Sequence, residues 1–488
     1  MTRPLARSLA IGAVLLAGAC AQQPPSTTPA RNPAAVSTTG PREPTDAAAA
    51  AAGPTLTIED ARPPVSVTRY TAPRDCPLTY DYRAAYRMDM AAVGFGSGFD
   101  MLGQLEARAD GASTSRATVK FVWARTDVVA PTGSVKGVRT DQNLGSVQLV
   151  TDGSRWTEVE QKSKAPVAMP NFLGYAGIVN LWPTLPAAAE PGSTSQWKVP
   201  PQTIGGLALS AFSGVKQPAP TVEIAPLRVS KWIKVGGELA VVLEGSWEKE
   251  QNGEEKSGNQ KVLRRATVRG AARFVVLASG RLLNSEVRQA TDTLVVRQGE
   301  RLATEVDQPS NDTHEDLTSE LRLVSACGGV AMPSLHPPPA PDERAMMLHA
   351  RLRDLASKGD RASLAALLAP SLTSRQGKDA VVDALLAHVK RFGENSLGMP
   401  TSPTPGSVRV DTDRVRFDLV GICVQNAGAA ESFVVTVSVE LERKGEDLLL
   451  RGIKAVTQGE GPSDVLEVSE SRLFKGDPPS GKFAPKRR

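Results

Sequence analysis

The chain has 488 residues, of which 41% are hydrophobic and 22% charged, and a formal net charge of +5. This length and apolar content suffice for two domains with sizeable cores. Lys and Arg alternate with acids along most of the chain, with no basic stripe interleaved with aromatics, which argues against nucleic acid as a partner.

The predicted elements begin with a secretory segment over 1–19. Arg3 and Arg7 precede an apolar run from Leu9 to Leu16, and Leu16-Ala17-Gly18-Ala19-Cys20 closes it with small residues before a cysteine. The run is about half the ~20 apolar residues that a membrane-spanning helix needs. The stretch resembles the bacterial lipoprotein signal, although Ala17 stands where Leu is more usual. The resemblance implies cleavage before Cys20, lipidation of its thiol with palmitate or a similar chain, and partnership with a membrane through that N-terminal anchor. Ala21 follows in place of Asp, which in lipoproteins of this kind implies the outer membrane, with the body facing the periplasm.

Residues 20–69 are rich in Pro, Ala and Thr, with no aromatic residue and the run Ala47 to Ala52. Such a segment cannot bury enough apolar surface to offset its ordering entropy, so it reads as a disordered tether. About 50 flexible residues span roughly 40 Å on average.

Cys76 and Cys327 bracket the next region, and an exported chain meets an oxidising compartment. A Cys76–Cys327 disulfide is expected, which chain-entropy arithmetic values at about 5 kcal/mol at most. Cys423 lies in an apolar strand and reads as a buried free thiol. No Cys-x-x-Cys pair and no His beside a cysteine points to metal or thiol chemistry.

Residues 70–331 form a β-rich domain. Tyr80, Tyr82, Ala84, Tyr86, Met88 and Met90 alternate with Thr79, Asp81, Arg83, Arg87 and Asp89, the period two of a half-buried strand. Further strands are predicted at Val119-Phe121-Trp123, Val147-Leu149 and Trp156, then Val229–Val235, Leu239–Trp247, Val262–Leu277, Leu282–Val296 and Leu321–Ala326. Gly236-Gly237, Asn252-Gly253 and Ser279-Gly280 supply turns. Several of these strands exceed the usual length of about six residues, which suggests a strongly curved sheet or an open barrel.

Two apolar segments, Phe172–Leu185 and Ile204–Phe212, interrupt the strands and are the candidates to cover a concave face. The pattern resembles the half-barrel of periplasmic lipoprotein carriers. That resemblance implies an apolar ligand, with Tyr80, Tyr82, Tyr86, Trp123 and Trp182 as candidate lining residues. The same aromatics are equally readable as the plain core of a large sheet.

A Pro-rich linker, 332–341, leads to a second domain over 342–460. Helices are predicted from Asp342 to Leu355, around Leu364-Leu367-Leu368, and from Lys378 to Phe392, with Asp360 as a helix cap. Strands follow at Val408–Val410, Arg414–Val424, Phe433–Glu442 and Leu448–Val456. Leu355-Ala356-Ser357-Lys358-Gly359-Asp360 and Gly377-Lys378-Asp379 resemble landmarks of the nuclear-transport-factor-two-like fold, a cone around a pocket, with Ser371–Gln376 as a short loop. Some relatives, such as ketosteroid isomerases, use pocket carboxylates as general bases. The corresponding polar candidates are His349, Asp354, Asp383 and His388, and catalysis requires that they converge.

The tail, 461–488, carries Lys475, Lys482, Lys486, Arg487 and Arg488 and reads as a solvated basic end or a contact for anionic lipid. Ser213-Gly214-Val215-Lys216 and Lys256-Ser257-Gly258 lie too close together for a penicillin-binding enzyme. Gly94-Phe95-Gly96-Ser97-Gly98 reads as a flexible turn, and Asp312, His314, Glu315 and Asp316 as a solvated loop rather than a cation site. No catalytic set, metal site or cofactor follows. The expected fold class is α+β and β-rich: a large curved antiparallel sheet or half-barrel, then a smaller helices-then-sheet cone-shaped domain. The expected function is a non-enzymatic, lipid-anchored periplasmic binding or scaffold protein, its partner an apolar ligand or an envelope protein. The rival is an envelope enzyme acting in the second domain's pocket.

Overall fold

The computed structural model describes residues 57–64, 68–74, 76–90, 95–130, 133–141, 144–161, 178–199, 224–257, 260–298, 313–326, 328–398, 403–404, 406–425, 431–445, 447–458 and 464–476. Cys20, most of the tether, Ile204–Phe212, Ser213–Lys216, Asp312, Cys327 and the end of the basic tail lie outside them.

Antiparallel pairing follows the alternation of apolar and polar residues. The first sheet holds β1 (Ile58–Ala61), β2 (Leu78–Met90), β3 (Phe95–Ala109), β4 (Arg116–Ala130), β5 (Gly133–Val135), β6 (Ser146–Thr151) and β7 (Trp156–Gln161). It continues through β8 (Thr194–Lys198), β9 (Ile224–Val235), β10 (Glu238–Ser257), β11 (Gln260–Leu277), β12 (Leu282–Gln298) and β13 (Thr313–Ser325). The order is β1-β9-β10-β11-β12-β13-β2-β3-β4-β6-β7, with β5 on β4 and β8 on β9. This 13-stranded sheet ends in two edges and does not close into a barrel.

One face is dry. Tyr80, Tyr82, Ala84, Tyr86 and Met88 of β2 share a core with Ala272 and Phe274 of β11, and with Leu317, Leu321 and Leu323 of β13. Residues 178–193 pack on this inner face, and Trp197 of β8 joins them. Trp197 lies edge-on to Phe274 at 5.1 Å and tilted against Trp247 at 5.7 Å, and Trp182 meets Tyr80 edge-on at 5.5 Å. Trp197 satisfies its one polar atom by donating from Nε1 to Asn180 O at 2.9 Å, so the ring is buried without an orphaned donor.

The other face is wet. Arg87 pairs with Asp100 at 2.7 Å, and Arg269 pairs with Asp292. His314 bridges Asp292 at 2.6 Å and Asp316 at 3.1 Å, and the hydrogen bond to Asp292 is the main cause that raises its pKa. A charged outer face is the reverse of the apolar band on a lipid-facing barrel.

Several expectations need correction. Ile58–Ala61, placed in the tether, is an edge strand paired with β9. Phe95 to Gly98 belong to β3, because glycine lets neighbouring strands approach: a Cβ on Gly98 would run into Tyr86 O. Asn252-Gly253 lies inside β10, opposite Arg265 and Arg264, and the hairpin closes instead at Ser257 opposite Gln260. His314, Glu315 and Asp316 sit on β13 rather than in a loop. Cys76 is disulfide-bonded as expected, and its expected partner Cys327 lies outside the described residues.

The second sheet contains β14 (Arg409–Val410), β15 (Arg414–Gln425), β16 (Glu431–Lys444), β17 (Asp447–Gln458), β18 (Asp464–Val468) and β19 (Leu473–Gly476), in that order. Its last two strands include Lys475, so the domain extends past 460 into what the sequence suggested was tail. Cys423 lies on β15, with its side chain outside the described set. Packed against the sheet are α1 (Pro341–Lys358), α2 (Arg361–Ala366), α3 (Pro370–Gln376) and α4 (Lys378–Phe392). Asp360 caps α2 by accepting from Ser363 N at 3.1 Å, as expected. Ser371–Gln376, expected as a loop, is helical because Pro370 at the first helical position presets the backbone.

The Pro-rich linker is docked, not free. Asp81 is fully buried on the outer face, accepting from Ser334 Oγ and from Leu335 N at 2.8 Å. His336 Nε2 donates to Tyr82 O and Gly103 O, each at 3.1 Å. Next to it, Glu343 of α1 accepts from Arg125 at 2.7 Å and Arg139 at 2.9 Å, joining the domains across the half-buried junction.

Candidate functional site on the inner face of the large sheet

At one end of the dry face the side chains become polar. Gln289, Thr291 and Thr293 of β12 and Thr313 and Glu315 of β13 are all buried. Register makes them neighbours: Thr291 is opposite Glu315 and Thr293 opposite Thr313. On the other side of β13, Glu315 faces Met88 of β2. Alternation along each strand aims the five to the same side as the apolar residues Leu317 and Val287.

Glu315, only 7% exposed, accepts a hydrogen bond from the Tyr86 hydroxyl at 2.8 Å. Burial raises the Glu315 pKa, partly offset by the Tyr86 hydrogen bond and the charge of His314. The Tyr86 hydroxyl is raised too, by burial first and then by the neighbouring carboxylate. Tyr86 stacks on Phe99 with centroids 6.3 Å apart and planes 14° from parallel. The arrangement is an apolar wall ending in hydroxyls, an amide and a carboxyl whose pKa burial raises. Such a surface can accommodate a molecule with a long apolar part and a polar, hydrogen-bonding end.

The sequence reading grouped Glu315 with His314 and Asp316 and missed this site. The signal was present in the alternation of Thr313, Glu315 and Leu317 against His314, Asp316 and Thr318.

The aromatic candidates divide three ways. Tyr80, Tyr82 and Trp182 belong to the core under residues 178–199. The cavity beside Tyr80 and Trp182 has a volume of about 20 Å³, room for a single water, so no ligand of any size fits there. Tyr86 belongs to the polar end. Trp123 is on the opposite face: a bulge between Gln104 and Leu105 turns it outward, where His336 lies edge-on at 5.1 Å and Arg139 stacks at 4.1 Å. A one-residue irregularity moved it from ligand candidate to the interdomain seam.

The second domain's polar candidates do not converge. Asp354 pairs with Lys358 at 2.8 Å and Asp383 with Arg361 at 2.6 Å, both on the helical surface. His349 is buried and donates from Nε2 to Leu397 O at 2.6 Å, edge-on to Phe417. Burial lowers its pKa to about 4. His388 is buried beside Phe392 at 5.1 Å. The Asp354 and Asp383 carboxylates thus pair, among the described residues, with Lys358 and Arg361 on the helices. Among the described residues, no group of three or more His, Cys, Asp or Glu is placed to hold a metal ion, and no helix is long and apolar enough to cross a membrane.

No family model matches the sequence, nor does any curated protein. Among solved structures, the chain is similar to one described as "Lipid-protein interactions in lipovitellin", with a TM-score of 0.31 and 11% identity. The match covers 64% of this chain and 34% of that one, so the chain spans about a third of that protein's length.

Proposed function

We propose that this chain is a lipid-anchored, periplasm-facing binding protein of the bacterial outer membrane that holds an amphiphile against the inner face of its large sheet. The observation that carries the reading is the contiguous buried row of Gln289, Thr291, Thr293, Thr313 and Glu315 at one end of an otherwise apolar wall. Hydroxyls, an amide and a carboxyl gathered at one end of an apolar wall suit the polar head group of an amphiphile whose tail lies along the rest. The charged outer face supports a body bathed in water and tethered to, rather than embedded in, the membrane. The lipobox supports the anchor at Cys20, and the helices-then-strands order supports a nuclear-transport-factor-two-like second domain in an interaction role.

The mature chain, purified without its anchor and extracted with organic solvent, should release a stoichiometric amphiphile detectable by mass spectrometry. Glu315→Leu should lower that stoichiometry while Tyr80 and Trp182 variants act only through stability. An empty, stable wild-type protein would overturn the binding reading and leave a scaffold. Separately, Cys20→Ala should abolish incorporation of labelled palmitate.

A further inference from the structure

On the wet face, at the far side of the sheet from the linker, lies an open depression of about 640 Å³. Its rim is a row that alternates in charge across adjacent strands. Arg228 stands opposite Glu244, Glu244 opposite Arg273, and Arg273 opposite Glu286. Its floor is the next outward row, where Ser246 and Ala271 are small and Arg288 follows on β12. Small residues between long ones make the hollow.

The charges are unequally engaged. Arg273 approaches Glu244 at 3.5 Å, and Glu286 accepts from Asn284 at 2.9 Å. Among the described residues, Arg228 and Arg288 have no carboxylate within ion-pairing distance, and both are exposed. Arg228 and Arg273 lie two strands apart, roughly 10 Å at the usual strand spacing. The hollow thus offers guanidinium forks for a phosphate, with glutamates and the Ser246 and Thr194 hydroxyls able to bind sugar hydroxyls. The charged rim disfavours a purely apolar guest, a bare phosphate leaves the glutamates unused, and the exposed Pro226 and Ala271 give the apolar face of a sugar ring a surface to rest on.

We propose that this hollow binds a phosphorylated saccharide. The site lies on the opposite face from the amphiphile site and stands or falls independently of it. Two sources carry the same chemistry: a soluble sugar phosphate, and the head group of an envelope glycolipid.

The test titrates the anchor-free mature chain with glucosamine 6-phosphate, and with phosphatidylcholine vesicles with and without lipid A. Saturable binding to the first assigns a soluble saccharide, and binding only to the lipid A vesicles assigns a glycolipid. In either arm Arg228→Ala and Arg288→Ala should each weaken binding roughly tenfold, the loss of one charge-assisted contact. Arg265→Ala, on the same sheet and paired with Glu250 at 2.9 Å, should leave it unchanged. Should an alanine variant unfold, Arg288→Lys retains the charge, removes the fork, and should still weaken binding. Absence of saturable binding in both arms, or equal loss with Arg265→Ala, would overturn the proposal.

Discussion

The two sheets bury their inner faces in different ways. In the second domain, α1 and α4 cover the sheet, and two of the polar side chains caught beneath, His349 and Arg353, are tied to residues 394–397. His349 donates to Leu397 O, and Arg353 reaches Glu394 O at 3.3 Å and Asn395 Oδ1 at 2.7 Å. In the first domain the irregular segment 178–193, together with Trp197 of β8, covers part of the face with aromatics, and the face then ends in Glu315 and its polar neighbours. Helical closure binds His349 and Arg353 into the fold. Closure by a segment leaves a wall with two characters, one structural and one suited to a guest.

The largest expected effect tests whether the aromatic cover is structural. Trp197→Ala deletes a ring held by Phe274, Trp247 and Asn180, and should cost about 3–5 kcal/mol, read as a lower urea midpoint. If the variant instead kept its stability and took up more amphiphile, the cover formed by residues 178–193 and Trp197 would be a gate and the contrast between the two sheets would collapse.

His349 sharpens the other half of the comparison. Its folded pKa of about 4 is below the ordinary histidine value of 6.5, so the unfolded chain binds the extra proton first. Stability from the neutral ring is therefore fully present above pH 6.5 and is lost as pH falls toward 4. The loss should reach about 3 kcal/mol across that window. His349→Gln should flatten the dependence, though at a lower stability throughout. An unchanged pH slope in the variant would mean that another group carries it.

Glu343 tests whether the domains form one unit. Glu343→Gln leaves Arg125 and Arg139, 15% and 6% exposed, without their shared carboxylate. The cost should be about 2 kcal/mol, with a single calorimetric transition separating into two. A uniform shift with no separation would place the coupling in the His336 and Asp81 contacts instead.

How much of this was readable from sequence depends on what each feature rests on. Period two in β2 and the helix caps around Gly359-Asp360 and Gly377 are local, and they were readable. The bulge that turns Trp123 outward is a property of two strands together, invisible along either. Likewise, the linker looks like a spacer by composition, and only the buried Asp81 on an otherwise wet face explains why it docks. Glu315 was within reach, since parity alone separates it from His314 and Asp316. Grouping charged residues by proximity in sequence hid it.

Glu315→Gln should give the smallest change and the most specific one. Burial raises the folded pKa of Glu315 above its unfolded value, so the folded state holds the proton more tightly. Its contribution is therefore present below the unfolded pKa and lost as pH rises through the folded one. At pH 7 the fold bears a buried group that prefers neutrality, and Gln, neutral and of similar shape, should raise the melting temperature slightly. At pH 4 the two proteins should melt together. The Tyr86 hydroxyl can still donate to the amide oxygen, so packing is preserved while the titration is removed. A variant less stable than the parent at pH 7 would show that the ionised carboxylate is what the fold requires. Glu315 would then belong with His349 among the groups that serve structure, and the polar end of the wall would lose its claim on a guest.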